Sequence, residues 1–124
     1  MGFFSSLIGN VSEVEIEGVV KNFEQLIAEG EVVEAAYKLV RDMIIFTNKR
    51  IIFIDKQGIT AKKIEYLSVP YKSINTYSVE TVGHFDLEAE LVLHIKGMES
   101  PIIKQFTSSA NIYDVQSIIT KHIE

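Results

Sequence analysis

The side chains able to do chemistry are few and scattered. The chain has no cysteine, which excludes thiolate catalysis, a disulfide framework and any Cys-based zinc or iron–sulfur site. Its three histidines, His84, His94 and His122, fall in a loop, on a strand and in the last helix of the reading given below. There is no HExxH or comparable His–carboxylate spacing, and no calcium loop of alternating acids ending in Glu. Glu88 and Glu90 share one strand face and would sit about 7 Å apart. Paired carboxylates can serve as acid and base. On the polar face of an alternating strand, however, such a pair is more often solvated or matched by a cross-strand lysine. No Gly-x-Ser-x-Gly elbow, P-loop or dinucleotide loop occurs, and Gly58, Gly83 and Gly97 read as turn residues. The expectation is no catalytic residue, no metal and no cofactor.

Three small basic groups remain: Arg41, the pair Lys49-Arg50 and the pair Lys62-Lys63. Lys49 and Arg50 join two apolar runs and would project from a hairpin tip. Such a tip could hold a phosphate or an acidic peptide, or be no more than a soluble turn. These two are the candidate ligand or partner contacts.

The elements that must position these groups follow from hydropathy. Residues 11–29 read as an amphipathic helix, with Ile16, Val19, Val20, Phe23, Leu26 and Ile27 at three-and-four spacing. Ser12 and Glu15 make a capping box, and Gly30 stands where helices terminate. Residues 3–8 could add a helical turn before it. From Glu31 the pattern switches to strands: Val33, Ala35, Tyr37 and Leu39 alternate, and residues 43–47 and 51–54 form a hairpin. A strand over 62–69 ends at Pro70, which has no N–H to donate. Residues 74–82 follow, then the clearest alternation, with Leu87, Ala89, Leu91, Leu93 and Ile95 on one face. A last short strand covers 102–106. Asn111 caps a closing helix with Ile112, Val115, Ile118, Ile119 and Ile123 on its apolar side. About seven antiparallel strands and a final helix predict a small sandwich or barrel plugged by that helix.

The runs at 43–46 and 51–54 do not alternate, so something must cover both faces of that hairpin. The chain's own helices are one cover, and a neighbouring subunit is another. The net charge of −5 is uneven. Residues 1–34 hold seven glutamates against Lys21 alone, while the remainder holds eleven basic and ten acidic residues. No basic face of the kind nucleic acid needs stands out, nor a Lys/Arg cluster for an anionic membrane. No stretch reaches the roughly 20 apolar residues of a membrane-spanning helix, and the N-terminus is not a secretory signal. It matches the loose Met-Gly-x-x-x-Ser acylation pattern, although a short apolar anchor packed on the body is the plainer reading. The lack of cysteine suits a reducing cytosol.

The stretch Arg41-Asp42-Met43-Ile44-Ile45-Phe46-Thr47-Asn48-Lys49-Arg50-Ile51-Ile52-Phe53-Ile54-Asp55 resembles the signature of bacterial pleckstrin-homology (PH) domain proteins. The resemblance continues through Gly58-Ile59-Thr60, Lys63, Pro70-Tyr71-Lys72-Ser73-Ile74, Ser78-Val79-Glu80-Thr81 and Gly83, and into the strand at 86–93. It covers essentially the whole chain. It implies a PH-like fold: two near-orthogonal antiparallel sheets of seven strands in all, capped by a C-terminal helix. Residues 1–30 would be an N-terminal helical segment and 31–124 the PH-like domain. The resemblance also implies homo-oligomers, often ring-shaped. The basic loop of phosphoinositide-binding PH domains is not matched convincingly by Lys38, Arg41, Lys49 and Arg50.

Two functional readings follow. The favoured one is a non-enzymatic, self-assembling protein-interaction module in the cytoplasm, with Phe3, Phe4, Ile44, Phe46, Ile52 and Ile54 as candidate interface residues. The chain's partner is then itself, with room for an unidentified protein and none for nucleic acid. The alternative is a peripheral membrane module anchored by Phe3, Phe4, Leu7 and Ile8.

Overall fold

The computed structural model describes residues 18, 21–39, 42–57, 63–81, 88–107 and 110–123, and these include seven strands and one long helix. Strands β1 (Val33–Lys38), β2 (Met43–Thr47), β3 (Arg50–Gln57) and β4 (Lys63–Pro70) form an antiparallel sheet in sequence order. Strands β5 (Ile74–Thr81), β6 (Glu88–Ile95) and β7 (Ile102–Thr107) form a second one. Helix α1 (Ile112–His122) closes the chain.

The sequence allowed a barrel, but the described strands pair as two separate open sheets. The break comes at Pro70, the last residue of β4, which cannot donate to a further ladder. A short 3₁₀ turn, Tyr71–Ser73, then carries the chain into the second sheet.

The hairpin of β2 and β3 is buried on both faces, each by a different cover. Ile44, Phe46, Ile51 and Phe53 face the second sheet and join Leu91, Leu93, Phe106, Val115 and Ile119 in the main core. Ile45, Ile52 and Ile54 face the other way and gather with Val33 and Ala36. Phe23, Leu26, Ile27 and Met43 lie over this second cluster. The absent alternation in the sequence thus reports two covered faces. Each fully buried Ile or Phe contributes roughly 1.5–3 kcal/mol of transfer free energy.

Strand β6 shows the expected period of two, with Ala89, Leu91, Leu93 and Ile95 buried and His94 exposed; Leu87 lies outside the described residues. Asn111 accepts a hydrogen bond from the Tyr113 amide (3.1 Å), as an N-cap should. Ile112, Val115, Ile118 and Ile119 are buried and Ile123 is half-buried, so the predicted helix face holds.

The helical pattern predicted over 11–29 stops short of Glu29 in the described residues. Gly18, Lys21 and Asn22 are helical, but residues 23–26 form a turn in which the Leu26 amide bonds to the Phe23 carbonyl at 2.8 Å. Periodicity alone carries a helix to Glu29. Side-chain hydrogen bonds to the Leu26 carbonyl and from the Ala28 amide, described next, take those backbone groups instead. The rest of that predicted helix, and the turn predicted over 3–8, lie outside the described residues.

Candidate functional site

The β2–β3 connection is a four-residue tip, Thr47 to Arg50, and a single side chain organises it. The Thr47 hydroxyl accepts from the amides of Lys49 and Arg50, both at 3.0 Å. This is the local side-chain-to-backbone closure that threonine offers at turns. The Thr47 carbonyl in turn accepts from the Tyr71 hydroxyl at 2.6 Å. Asn48 pins the tip to the preceding chain: its Oδ1 accepts from the Val32 amide (2.8 Å) and its own amide donates to the Val32 carbonyl (3.0 Å).

Arg50 does not project from the tip as the sequence reading placed it. Its Nε and Nη2 donate to the two oxygens of Glu31 at 2.7 and 2.8 Å, a bidentate pair. Nη2 also donates to the Leu26 carbonyl (2.7 Å) and Nη1 to Ser68 Oγ (2.6 Å). The Glu31 side chain is only 1% exposed. Its carboxylate further accepts from the Thr47 hydroxyl (2.6 Å) and the Ala28 amide (2.9 Å). These donors, the Arg50 fork foremost, outweigh the cost of burial and hold the Glu31 carboxyl at about 2. The network ties residues 26–32 to the hairpin. Lys49 alone of the predicted pair is exposed, with no partner for its ammonium among the described residues.

Two further polar sets join distant elements. His122 of α1 stacks on Tyr71 with ring centroids 4.6 Å apart, and its Nε2 lies 2.7 Å from Glu34 Oε1 of β1. Burial pushes the Tyr71 phenol well above its usual range, and the charges of Glu34 and Glu31 add to that. Lys104 of β7 points between the sheets, 2.8 Å from Asp55 and 3.6 Å from Asp42, with its ammonium 5.9 Å from the Phe53 ring centroid. All three sets are structural ties between elements.

The predicted interface residues divide sharply. Ile44, Phe46 and Ile52 have no exposed surface and Ile54 has 3%. They are interior residues of one chain: Ile44 and Phe46 lie in the main core, and residues 23–27, one of the two covers the sequence allowed, lie over Ile52 and Ile54. Phe3 and Phe4 lie outside the described residues. Glu90 of the carboxylate pair is half-buried on β6, opposite Glu80 and Gln105. Among the described residues no three His, Cys, Asp or Glu side chains gather as a metal site requires, and no helix is long and apolar enough to cross a membrane.

The surface the sequence reading missed is the outer edge of β4. This strand is the last of its sheet, and no described strand pairs with its far side. Ile64 is 39% exposed and Tyr66 46% exposed, side by side on one face. Tyr66 stands opposite Ile54, which stands opposite Met43, so the exposed pair prolongs the second apolar cluster to the edge of the sheet. The mixed alternation of residues 62–69 was its only signal in the sequence.

Comparison with known proteins places these features in a family. Residues 2–123 match the sequence profile of a family described as "Bacterial PH domain". The chain is 52% identical over 120 residues, 96% of each chain, to a Bacillus subtilis (strain 168) protein named "Uncharacterized protein YjqA". Among solved structures it is similar to a DUF1696-family protein with a pleckstrin-homology domain from Shewanella loihica PV-4. That match has a TM-score of 0.82 and 41% identity, over 92% of this chain and 97% of the other. A pleckstrin homology domain from Shewanella amazonensis SB2B matches with a TM-score of 0.79 and 41% identity, over 99% of both chains.

Proposed function

Because this chain belongs to the bacterial PH-domain family, we propose that it is a non-enzymatic protein-interaction module that assembles with copies of itself. PH domains are generally binding modules and not enzymes. What a given member binds has to be argued from its own surface.

The observation that carries this reading is the edge of β4. An unpaired strand edge is a template for another chain. Single exposed apolar residues are ordinary, but Ile64 and Tyr66 adjoin one another on such an edge and continue a buried apolar cluster. Contiguous patches of that kind mark interaction sites.

The test is the native mass of the untagged protein by light scattering on a sizing column. A discrete multimer, stable to dilution and salt, is expected. A monomer of 14.0 kDa at every concentration would remove this reading.

A further inference from the structure

The two ends of α1 are fixed by different means. Asn111 caps its first turn, and Ile112, Val115, Ile118 and Ile119 bury its inner face in the main core. The last turn ends in extended backbone at Ile123, whose amide donates to the Ile119 carbonyl at 3.1 Å. Thr120 and Lys121 are exposed there, and Ile123 is only half-buried against the core. His122 is what draws this turn sideways onto the sheet. Its ring stacks on Tyr71, with centroids 4.6 Å and planes 24° apart. Its Nε2 lies 2.7 Å from Glu34 Oε1 on β1, 88 positions earlier in the chain. The two side chains are 16% and 21% exposed. The pair is thus largely shielded from water yet still able to exchange a proton with it.

The charged and titratable groups around the ring are few. Glu34 faces it from β1 and Tyr71 from the 3₁₀ turn. Burial keeps the Tyr71 phenol neutral, and its hydroxyl is committed to the Thr47 carbonyl. Glu31, whose charge reaches Tyr71, is matched by Arg50. From β5 the Tyr77 hydroxyl lies 2.7 Å from Thr120 Oγ1, a tie without charge. Lys121 of α1 itself is exposed. Among the described residues, the Glu34 carboxylate is therefore the one charge in contact with the ring. Histidine is the side chain that ordinarily changes charge between about pH 5 and 8. With both nitrogens protonated, His122 gives Glu34 a charge-assisted hydrogen bond, and its positive charge stands at the negative end of the helix. Once the ring is neutral both terms are gone, and at most a neutral hydrogen bond remains.

We propose that His122 is a proton-operated clasp on the C-terminal end of α1. Protonated, it locks the last turn onto β1 and Tyr71. On losing the proton it slackens that turn, and with it the seat of Ile123 at the margin of the main core. The contact favours the charged ring, so the clasp is tight on the acid side and loosens as pH rises. Tyr71 also bonds the Thr47 carbonyl, so the clasp grips the residue that steadies the hairpin tip. It acts within one chain, whether or not copies assemble.

The test is amide hydrogen exchange of the full-length protein, read by NMR at about pH 5.5 and about pH 8 and corrected for the intrinsic pH dependence of exchange. Both conditions lie above the range in which Glu31 gains its proton, so that carboxyl does not contribute. In the wild type, protection of the His122 and Ile123 amides should fall about fivefold or more from the lower pH to the higher, while that of Val115 and Ile118 holds. His122→Phe keeps a ring on Tyr71 but has no proton to lose. Glu34→Gln keeps an acceptor without its charge. In both variants the fall should vanish. Equal protection at the two pH values in the wild type overturns the clasp, and does so even if neither variant folds. A fall that survives unchanged in either folded variant also overturns it, because some other group then drives it.

Discussion

Glu31 and Arg50 form the most consequential pair of residues in the chain. A carboxylate 1% exposed, held by an arginine fork, a hydroxyl and an amide, is costly to break from either side. Removing one partner strands the other, a loss of about 3–5 kcal/mol in comparable buried pairs. Arg50→Ala should fall near the lower end, since its side chain is 22% exposed. Glu31 also sets the acid limit of the fold. Its carboxyl titrates at about 2 in the folded chain against an ordinary 4.5, so between those values the unfolded chain binds the additional proton. Its contribution is fully present above about pH 5 and drains away as pH falls toward 2, amounting to roughly 3 kcal/mol. Urea unfolding of the wild type should show that decline. In Glu31→Gln the slope over the same interval should be shallower, from a lower starting stability. Nothing local in the sequence announces the pair, because nineteen positions separate its members.

At the scale of elements, the segment 23–27 acts as a strap over the second face of the β2–β3 hairpin. Phe23→Ser or Ile27→Ser removes a half-buried apolar contact from Ile45, Ile52 and Ile54. Each should cost about 1–2 kcal/mol and raise binding of a hydrophobic dye at native pH. Strand content was legible because its causes are local. The period of two in β6, the proline ending β4 and the Asn111 cap each act within a few residues. The hairpin's double burial was legible as a problem, through the unbroken apolar runs, but not its answer. The strap ends its helix early because Arg50 and Glu31 take its backbone groups, and Arg50 comes from outside any local sequence window. The tip was misread for the same reason: Lys49-Arg50 looks like a cationic fork until Glu31 is folded against it. The edge of β4 left no more than the mixed alternation of 62–69 as a trace, because neighbour order in a sheet is a tertiary property.

Across the whole molecule, two open sheets are held face to face by the main core and α1, with Lys104 of β7 as a polar tie to Asp55 on β3 and to Asp42 just before β2. Lys104→Met keeps the aliphatic packing on Phe53 but leaves two partly buried carboxylates without their cation. The expected loss is about 1–2 kcal/mol in urea unfolding at pH 7. High salt should shrink it, because screening relieves the carboxylates. The double cover of the hairpin bears on how the chain is made. The strap precedes the hairpin in sequence, so one apolar face is shielded as soon as β2 and β3 pair. The other face, Ile44, Phe46, Ile51 and Phe53, closes against residues as late as Ile119. On the ribosome a half-made chain therefore presents that face uncovered until translation is nearly complete, and it is there that a chaperone would find it.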